Sequence, residues 1–444
     1  MHKLSRKDQI LIGLTLFSMF FGAGNLIFPP TLGAQAGRLA IPAFLGFALS
    51  AVGLPILGVA AVARTGGLPV LAGRVGKPFA AVFTMLSYLS IGPCLAIPRT
   101  AGTSFEMAVP PFLPDSSLLP WLRTGYSVLF FGLALLLALH PNRLRDWLGK
   151  RLAPVLLALI AVLFFGSLFA GMHGTVAPQP AYTAAPVIRG FLDGYQTMDA
   201  MAALIFGIVL AMNIQSSGLT ETPDIVRATI RAGWLAGGLF LAVYGSLTYL
   251  GVLTAAICPV SPDANGAQLL TAMARQLFGK AGQGILAAIF VIACLNTCTG
   301  LICCCAAYFH ELFFKLSYRA WACLFAVVSA VIANAGLSSI LKFSVPILTA
   351  LYPVAIVLIF LAFLPAKWAQ TTRIYPLAAG FTAVFGVISA LEGAGFPLPA
   401  ITTLYNRLPL AGHGLGWAVP AAFGALLGAT LFRRRGTDAD AKNM

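Results

Sequence analysis

Apolar stretches of about 20 residues, long enough to cross the hydrocarbon core of a bilayer, recur along the whole chain with little between them. They read as twelve spans, near 9–35, 41–63, 78–108, 122–139, 150–170, 190–215, 231–257, 281–314, 318–335, 338–364, 374–392 and 414–432. Only 9% of the 444 residues are charged and 59% are hydrophobic, whereas about 25% of an ordinary soluble protein is charged. So few ionisable groups cannot cover soluble surfaces of this size, and the reading is an all-α integral membrane protein. Lys3, Arg6 and Lys7 precede the first span as in a signal peptide, but that span runs through a Pro-Pro pair with no A-x-A site and stays attached.

The net charge of +15 could suggest nucleic acid, yet the cations sit in short clusters between apolar runs, the spacing that orients a membrane protein, so no nucleic-acid partner is inferred. With the N-terminus in the cytoplasm, 20 of the 28 Lys and Arg fall inside, among them Arg64, Arg74 and Lys77, Arg143, Arg145, Lys150 and Arg151, and Arg433 to Arg435. Both termini are then cytoplasmic and the number of spans is even. The longest outer connections lie near 172–189, 258–280 and 393–413.

Several chemistries drop out. No G-x-x-x-x-G-K-S/T segment offers a nucleotide phosphate site, so active transport would have to draw on an ion gradient. The acids in or beside the spans (Asp8, Glu106, Asp193, Asp199, Glu311, Glu392) are scattered over different helices, and no enzyme is inferred. Seven of the eight cysteines lie inside apolar runs, so no disulfide framework is implied; Cys294 and Cys298 have metal-ligand spacing but read better as small residues packed between helices.

Four segments carry polar groups into the spans. In span 1 the helix from Ile10 runs into Gly22-Ala23-Gly24-Asn25 and then Pro29-Pro30, where glycine entropy and missing proline donors weaken the helix. Two readings stand: an unwound stretch whose freed amides face a carboxylate and whose carbonyls, with the Asn25 oxygen, face a cation, or a kink packed on small residues. A matching interruption is expected in span 6, where Thr197-Met198-Asp199 precedes an apolar run; Asp199 either caps a half-helix or carries a coupling proton or cation. Span 8 holds Ala293, Asn296, Thr297 and Thr299, whose oxygens suit a hard cation unless the threonines bond back to their own helix. Span 3 is bent by Pro93 and Pro98; at about 1.5 Å per residue Arg99 lies roughly 30 Å above the inner end, there to pair with Glu106 as an outer gate or to snorkel, as Lys342 does in span 10.

Phe20 to Pro30, Gly92-Pro93, Pro98-Arg99-Thr100, Ser104-Phe105-Glu106, Asp193-Gly194-Tyr195, Thr197-Met198-Asp199, Asn265-Gly266-Ala267, Ala293-Cys294-Leu295 and Leu316 to Arg319 together resemble, in order and over nearly the whole chain, the bacterial branched-chain amino acid carrier family (BrnQ or LIVCS) of the amino acid/polyamine/organocation superfamily. The resemblance implies a single transmembrane domain over 1–444: twelve helices in a leucine-transporter-like 5+5 inverted repeat (about 9–170 and 190–364), discontinuous helices 1 and 6, and two extra helices in about 374–432. It implies cation-coupled import of leucine, isoleucine and valine by alternating access across the bacterial inner membrane, without a cofactor or obligate protein partner. Carried over by residue, it implies substrate binding at Gly22, Ala23, Gly24, Asn25, Thr197, Met198, Asp199 and Met201, and Na+ binding at Phe21, Asn25, Ala293, Asn296 and Thr297, with Asn25, Ala293 and Thr297 as direct ligands. Asn296 departs from the family by standing where a hydroxyl residue is usual. A proton-coupled carrier, a carrier of another small substrate and a channel are the alternatives; a channel's selectivity rings do not appear in the sequence.

Overall fold

The computed structural model describes residues 5–113, 117–140, 151–215, 222–258, 261, 264–365, 368, 373–396, 405 and 407–430. Lys3, Arg143, Arg145, Lys150, Lys367, Arg433, Arg434, Arg435 and Lys442, which orient the chain in the sequence reading, lie outside them. Every regular element among the described residues is helical, and each predicted span contains a helix. Seven helical stretches among these residues are long and apolar enough to cross a membrane, and Ala153–Phe169, Tyr318–Ala333 and Ala418–Thr430 are shorter apolar helices.

The chain divides into two compact units. The first comprises Met1–Ala63 and Tyr88–Ser344. It begins with α1 (Arg6–Phe20), α2 (Ala23–Ala36) and α3 (Ala40–Ala48). The expected unwinding over Gly22 to Asn25 is confined to Phe21 and Gly22, and α2 runs on through Pro29 and Pro30 despite the weakening expected there. Each proline removes one donor, to the carbonyls of Asn25 and Leu26, without ending a helix that neighbours hold in place. Those neighbours approach at backbone distance: a Cβ at Gly33 would collide with the Thr248 carbonyl, and one at Gly251 with that of Pro30.

After α4 (Leu54–Thr65), the chain enters the second unit for α5 (Leu68–Gly73) and most of α6 (Lys77–Leu89), and α7 (Ala96–Ala108) in the first unit follows a widened turn at Ser90–Cys94 in which Gly92 is non-helical. Pro93 accounts for that break. Then come α8 (Leu119–Ala138), α9 (Ala153–Phe169) and the short α10 (Pro180–Thr183). Span 6 starts earlier than expected, with α11 (Pro186–Tyr195), and resumes as α12 (Asp199–Gln215) after an interruption at Gln196–Met198. Small residues seat α11 on α3, since a Cβ at Gly190 would meet the Ala43 carbonyl and one at Gly194 the Ser50 hydroxyl.

Span 7 lengthens into α13 (Thr222–Ile257) and span 8 into α14 (Gly266–Leu312), bent at Gly279, whose φ of 57° only glycine takes readily. Much of the expected outer connection 258–280 is therefore helix. Its start is fixed by a capping box in which Asn265 and Gln268 each accept the other's backbone N–H at 3.0 Å. The helices α15 (Tyr318–Ala333) and α16 (Leu337–Leu361) follow.

The second unit comprises Arg64–Ser87 and Val345–Met444. Within it the helices Ile374–Gly393 and Ala418–Thr430 pack on each other. Arg74 donates to the Tyr375 hydroxyl at 2.8 Å, which donates to the Leu361 carbonyl at 2.6 Å.

Candidate functional site

Both helix interruptions line one cavity in the first unit, to which Gly22 to Asn25 and Thr197 to Asp199 each contribute. The first interruption depends on glycine for space. Gly22 is extended (φ −129°, ψ −157°), a conformation open to any residue, but a Cβ there would lie 2.8 Å from the Thr297 hydroxyl. The second has no glycine: Met198 takes a left-handed φ of 68°, and its N–H closes a turn onto the Tyr195 carbonyl at 3.0 Å.

Asn25 joins the two. Its Oδ1 accepts the Gly22 N–H at 2.9 Å, and its Nδ2 donates to Asp199 Oδ2 at 2.5 Å and to the Tyr244 hydroxyl. Tyr244 in turn donates to Asp199 Oδ2 at 3.1 Å. All three side chains are buried. The Asp199 carboxylate is thus held by side chains of α2 and α13, whereas the Ala202 amide of its own helix bonds to the Met198 carbonyl. Tyr244 escapes sequence reading because a tyrosine within an apolar helix carries no motif; it stacks on Phe21 and packs at a tilt against Phe240 in an aromatic cluster.

The polar group of α14 divides. Thr297 lines the cavity, and among the described residues its buried Oγ1 has no hydrogen-bond partner. Thr299 bonds back to the Leu295 carbonyl at 2.8 Å. Asn296 points elsewhere, donating to Ser18 at 2.6 Å while its Oδ1 is left buried and unpartnered. Ala293 and Met201 are buried beside the cavity's helices without lining it, and Phe21 contributes its backbone to the first interruption.

Arg99 is not at an outer vestibule. Its guanidinium lines the same cavity, only 6% of the residue is exposed, and it donates a long 3.4 Å bond to the Gln196 carbonyl. Glu106 lies instead in a second, wider cavity of about 1020 Å³, shared with Arg123 and Arg275. A straight-helix rise cannot locate a side chain beyond the break at Gly92 to Leu95, so neither the Arg99–Glu106 pair nor snorkelling of Arg99 is found. Lys342 is exposed.

A family model described as branched-chain amino acid transport protein matches residues 5–435. The chain belongs to that family. The branched-chain amino acid permease BraB of Bacillus subtilis is 41% identical over 437 residues, covering 97% of this chain and 96% of the relative. The permease BrnQ of Escherichia coli K12 is 37% identical over 420 residues, 94% of each chain. Among solved structures, the nucleobase-cation-symport-1 family transporter Mhp1 in a closed conformation with bromovinylhydantoin matches with a TM-score of 0.58 at 12% identity, covering 95% of this chain and 91% of that one. MhsT in complex with L-phenylalanine matches at 0.55 and 15% identity over 96% of this chain and 100% of that one. These likenesses establish a leucine-transporter-like fold. As a member of the branched-chain amino acid transport protein family, whose relatives are permeases, the chain is a membrane carrier and not an enzyme.

The apolar wall of this family member's cavity comes from Phe20, Ile91, Ala96, Ala202, Phe206 and Leu301. The free space, about 30 Å³, is room for roughly two waters, where open ligand pockets reach about 300 Å³ or more.

Proposed function

We propose that the chain is a secondary active symporter that imports leucine, isoleucine and valine together with Na+ across the bacterial inner membrane. The observation carrying this reading is the meeting of two helix interruptions at one buried cavity, where the unpartnered Thr297 hydroxyl faces Gly22. An orphaned hydroxyl beside freed backbone carbonyls is a donor set for a hard cation. Asn25, which lines the same cavity, and the backbone of Phe21 at the break are the candidates to complete it, whereas Ala293 lies off the lining and Asn296 is turned to Ser18. The apolar wall accepts an aliphatic side chain, and because one methylene is worth only about 1–3 kcal/mol, the three branched-chain amino acids share the site.

Substrate fits only after the walls part, and closure of one side before the other opens is alternating access. The two interrupted helices would be equivalent members of inverted repeats over about 9–170 and 190–364, with both termini cytoplasmic. One cation entering down about 150 mV supplies roughly 3.5 kcal/mol, an accumulation on the order of a few hundredfold.

The test is uptake of labelled leucine into proteoliposomes with Na+ replaced by choline at fixed pH. Uptake should fall to background in choline, and isoleucine and valine, but not lysine or glutamate, should compete in Na+. The buried Asp199 favours one alternative, proton coupling: an inward pH gradient driving full uptake without Na+ would select it.

A further inference from the structure

Arg99 is left short of hydrogen-bond partners inside the cavity. A guanidinium has five N–H donors and is always charged. That of Arg99 is buried, and among the described residues its Nε has no partner and its one hydrogen bond is the 3.4 Å contact to the Gln196 carbonyl. Asp199 is within electrostatic reach, yet its carboxylate is bonded to Asn25 and Tyr244 rather than to Arg99. A buried charge left so short of partners is strongly unfavourable unless an anion joins it.

The surroundings say what kind of anion. The Arg99 Nη2 lies 3.0 Å from where a Cβ of Gly24 would stand, so the guanidinium rests against the first turn of α2. The free amides and dipole of a helix N-terminus also favour negative charge, and the two electropositive groups flank one small space. Asp199 is the acid among the residues lining that space.

Resting on the symport reading above, we infer that Arg99 binds the carboxylate of the substrate and that Asp199 faces its ammonium group, so the cavity selects intact α-amino acid zwitterions. Charge balance gives the selectivity. Arg99 and Asp199 sum to zero, and a zwitterion inserted between them also sums to zero and satisfies both. An amine without a carboxylate leaves Arg99 stranded; a carboxylic acid without an amine strands Asp199. Arg99 therefore works as a specificity residue that reads the head group, while the apolar wall reads the side chain.

The experiment is competition against labelled leucine on purified wild type and Arg99→Gln, with leucine, leucinamide (carboxylate neutralised) and 4-methylpentanoate (ammonium removed) as competitors. In the wild type leucine should bind about 100-fold tighter than leucinamide, the size of effect expected when one partner of a buried charge pair is removed. In Arg99→Gln leucine should weaken by about the same factor while leucinamide keeps its wild-type affinity, collapsing the ratio toward one. A variant that retains the wild-type ratio overturns the assignment. Should Arg99→Gln not fold, phenylglyoxal modification of wild-type Arg99, read by peptide mass spectrometry, replaces it: leucine should protect and leucinamide should not, and equal protection overturns the role. A wild type that ignores leucine but binds another zwitterion, with the same loss in Arg99→Gln, would remove the branched-chain substrate and leave Arg99's role standing.

Discussion

The two helix interruptions do the same job by opposite means. The first is a matter of space: Gly22 sits in an ordinary extended conformation and is needed because Thr297 stands where a side chain would go. The second is a matter of tertiary force: Met198 is held left-handed, which costs a residue with a Cβ about 1–2 kcal/mol. What holds it is the network on either side. Tyr182 donates to Asp193 at 2.5 Å and Arg189 pairs with the same carboxylate at 3.2 Å, fixing the end of α11, while Asn25 and Tyr244 fix Asp199 at the start of α12. A glycine-rich break is written locally; a break without glycine is enforced from a distance.

The largest effect should come from the network that joins them. Asp199→Asn keeps the shape and leaves Arg99 without its counter-charge, so leucine uptake should fall by about two orders of magnitude with protein still present in the membrane. Uptake and counterflow retained with unchanged ion dependence would show that the carboxylate's charge does nothing there.

Gly22→Ala should come next, lowering uptake about tenfold or more through the clash with Thr297. The double variant Gly22→Ala/Thr297→Ala sharpens the point: it should recover folded protein, measured by monodispersity, without recovering Na+ affinity. If the double variant is no better folded than the single one, the Gly22 requirement is not about space.

Thr297→Ala alone should raise the Na+ concentration for half-maximal uptake about tenfold, the loss of one hydrogen-bond-strength ligand, while Thr297→Ser should be mild. Wild-type Na+ dependence in the alanine variant would detach Thr297 from the cation.

The smallest difference distinguishes the breaks most cleanly. At Met198 both truncations lose buried packing, but glycine should be more stable than alanine by about 1 kcal/mol, because only alanine bears the left-handed penalty. Thermal unfolding of the two variants reads this directly. The usual order, alanine above glycine, would mean that Met198 is not strained.

How much of this was legible in the sequence follows the same division. Gly22 to Asn25 announced an interruption because glycine and a buried amide act on their own turn; its extent was overestimated because Pro29 and Pro30 each cost one donor inside a well-packed helix. Asp199 was legible as an acid in a span, but its bonds to Asn25 and Tyr244 span 174 and 45 residues, beyond any local pattern. Arg99 was misplaced because rise per residue fails across the Gly92 break. The helix before Gly279 was signalled by the Asn265–Gln268 capping box, a local signal hidden within a polar connection.

The central claim is that substrate and cation occupy one cavity between the two interruptions, and linkage tests it most directly. Leucine binding to the purified protein should be measured over a range of Na+, and Na+ binding over a range of leucine. Whatever factor Na+ changes leucine affinity by, leucine must change Na+ affinity by the same factor. The account predicts a leucine Kd lowered about tenfold or more by saturating Na+, an equal reciprocal shift in the Na+ Kd, and loss of both shifts in Thr297→Ala. A leucine Kd identical in Na+ and choline would contradict it.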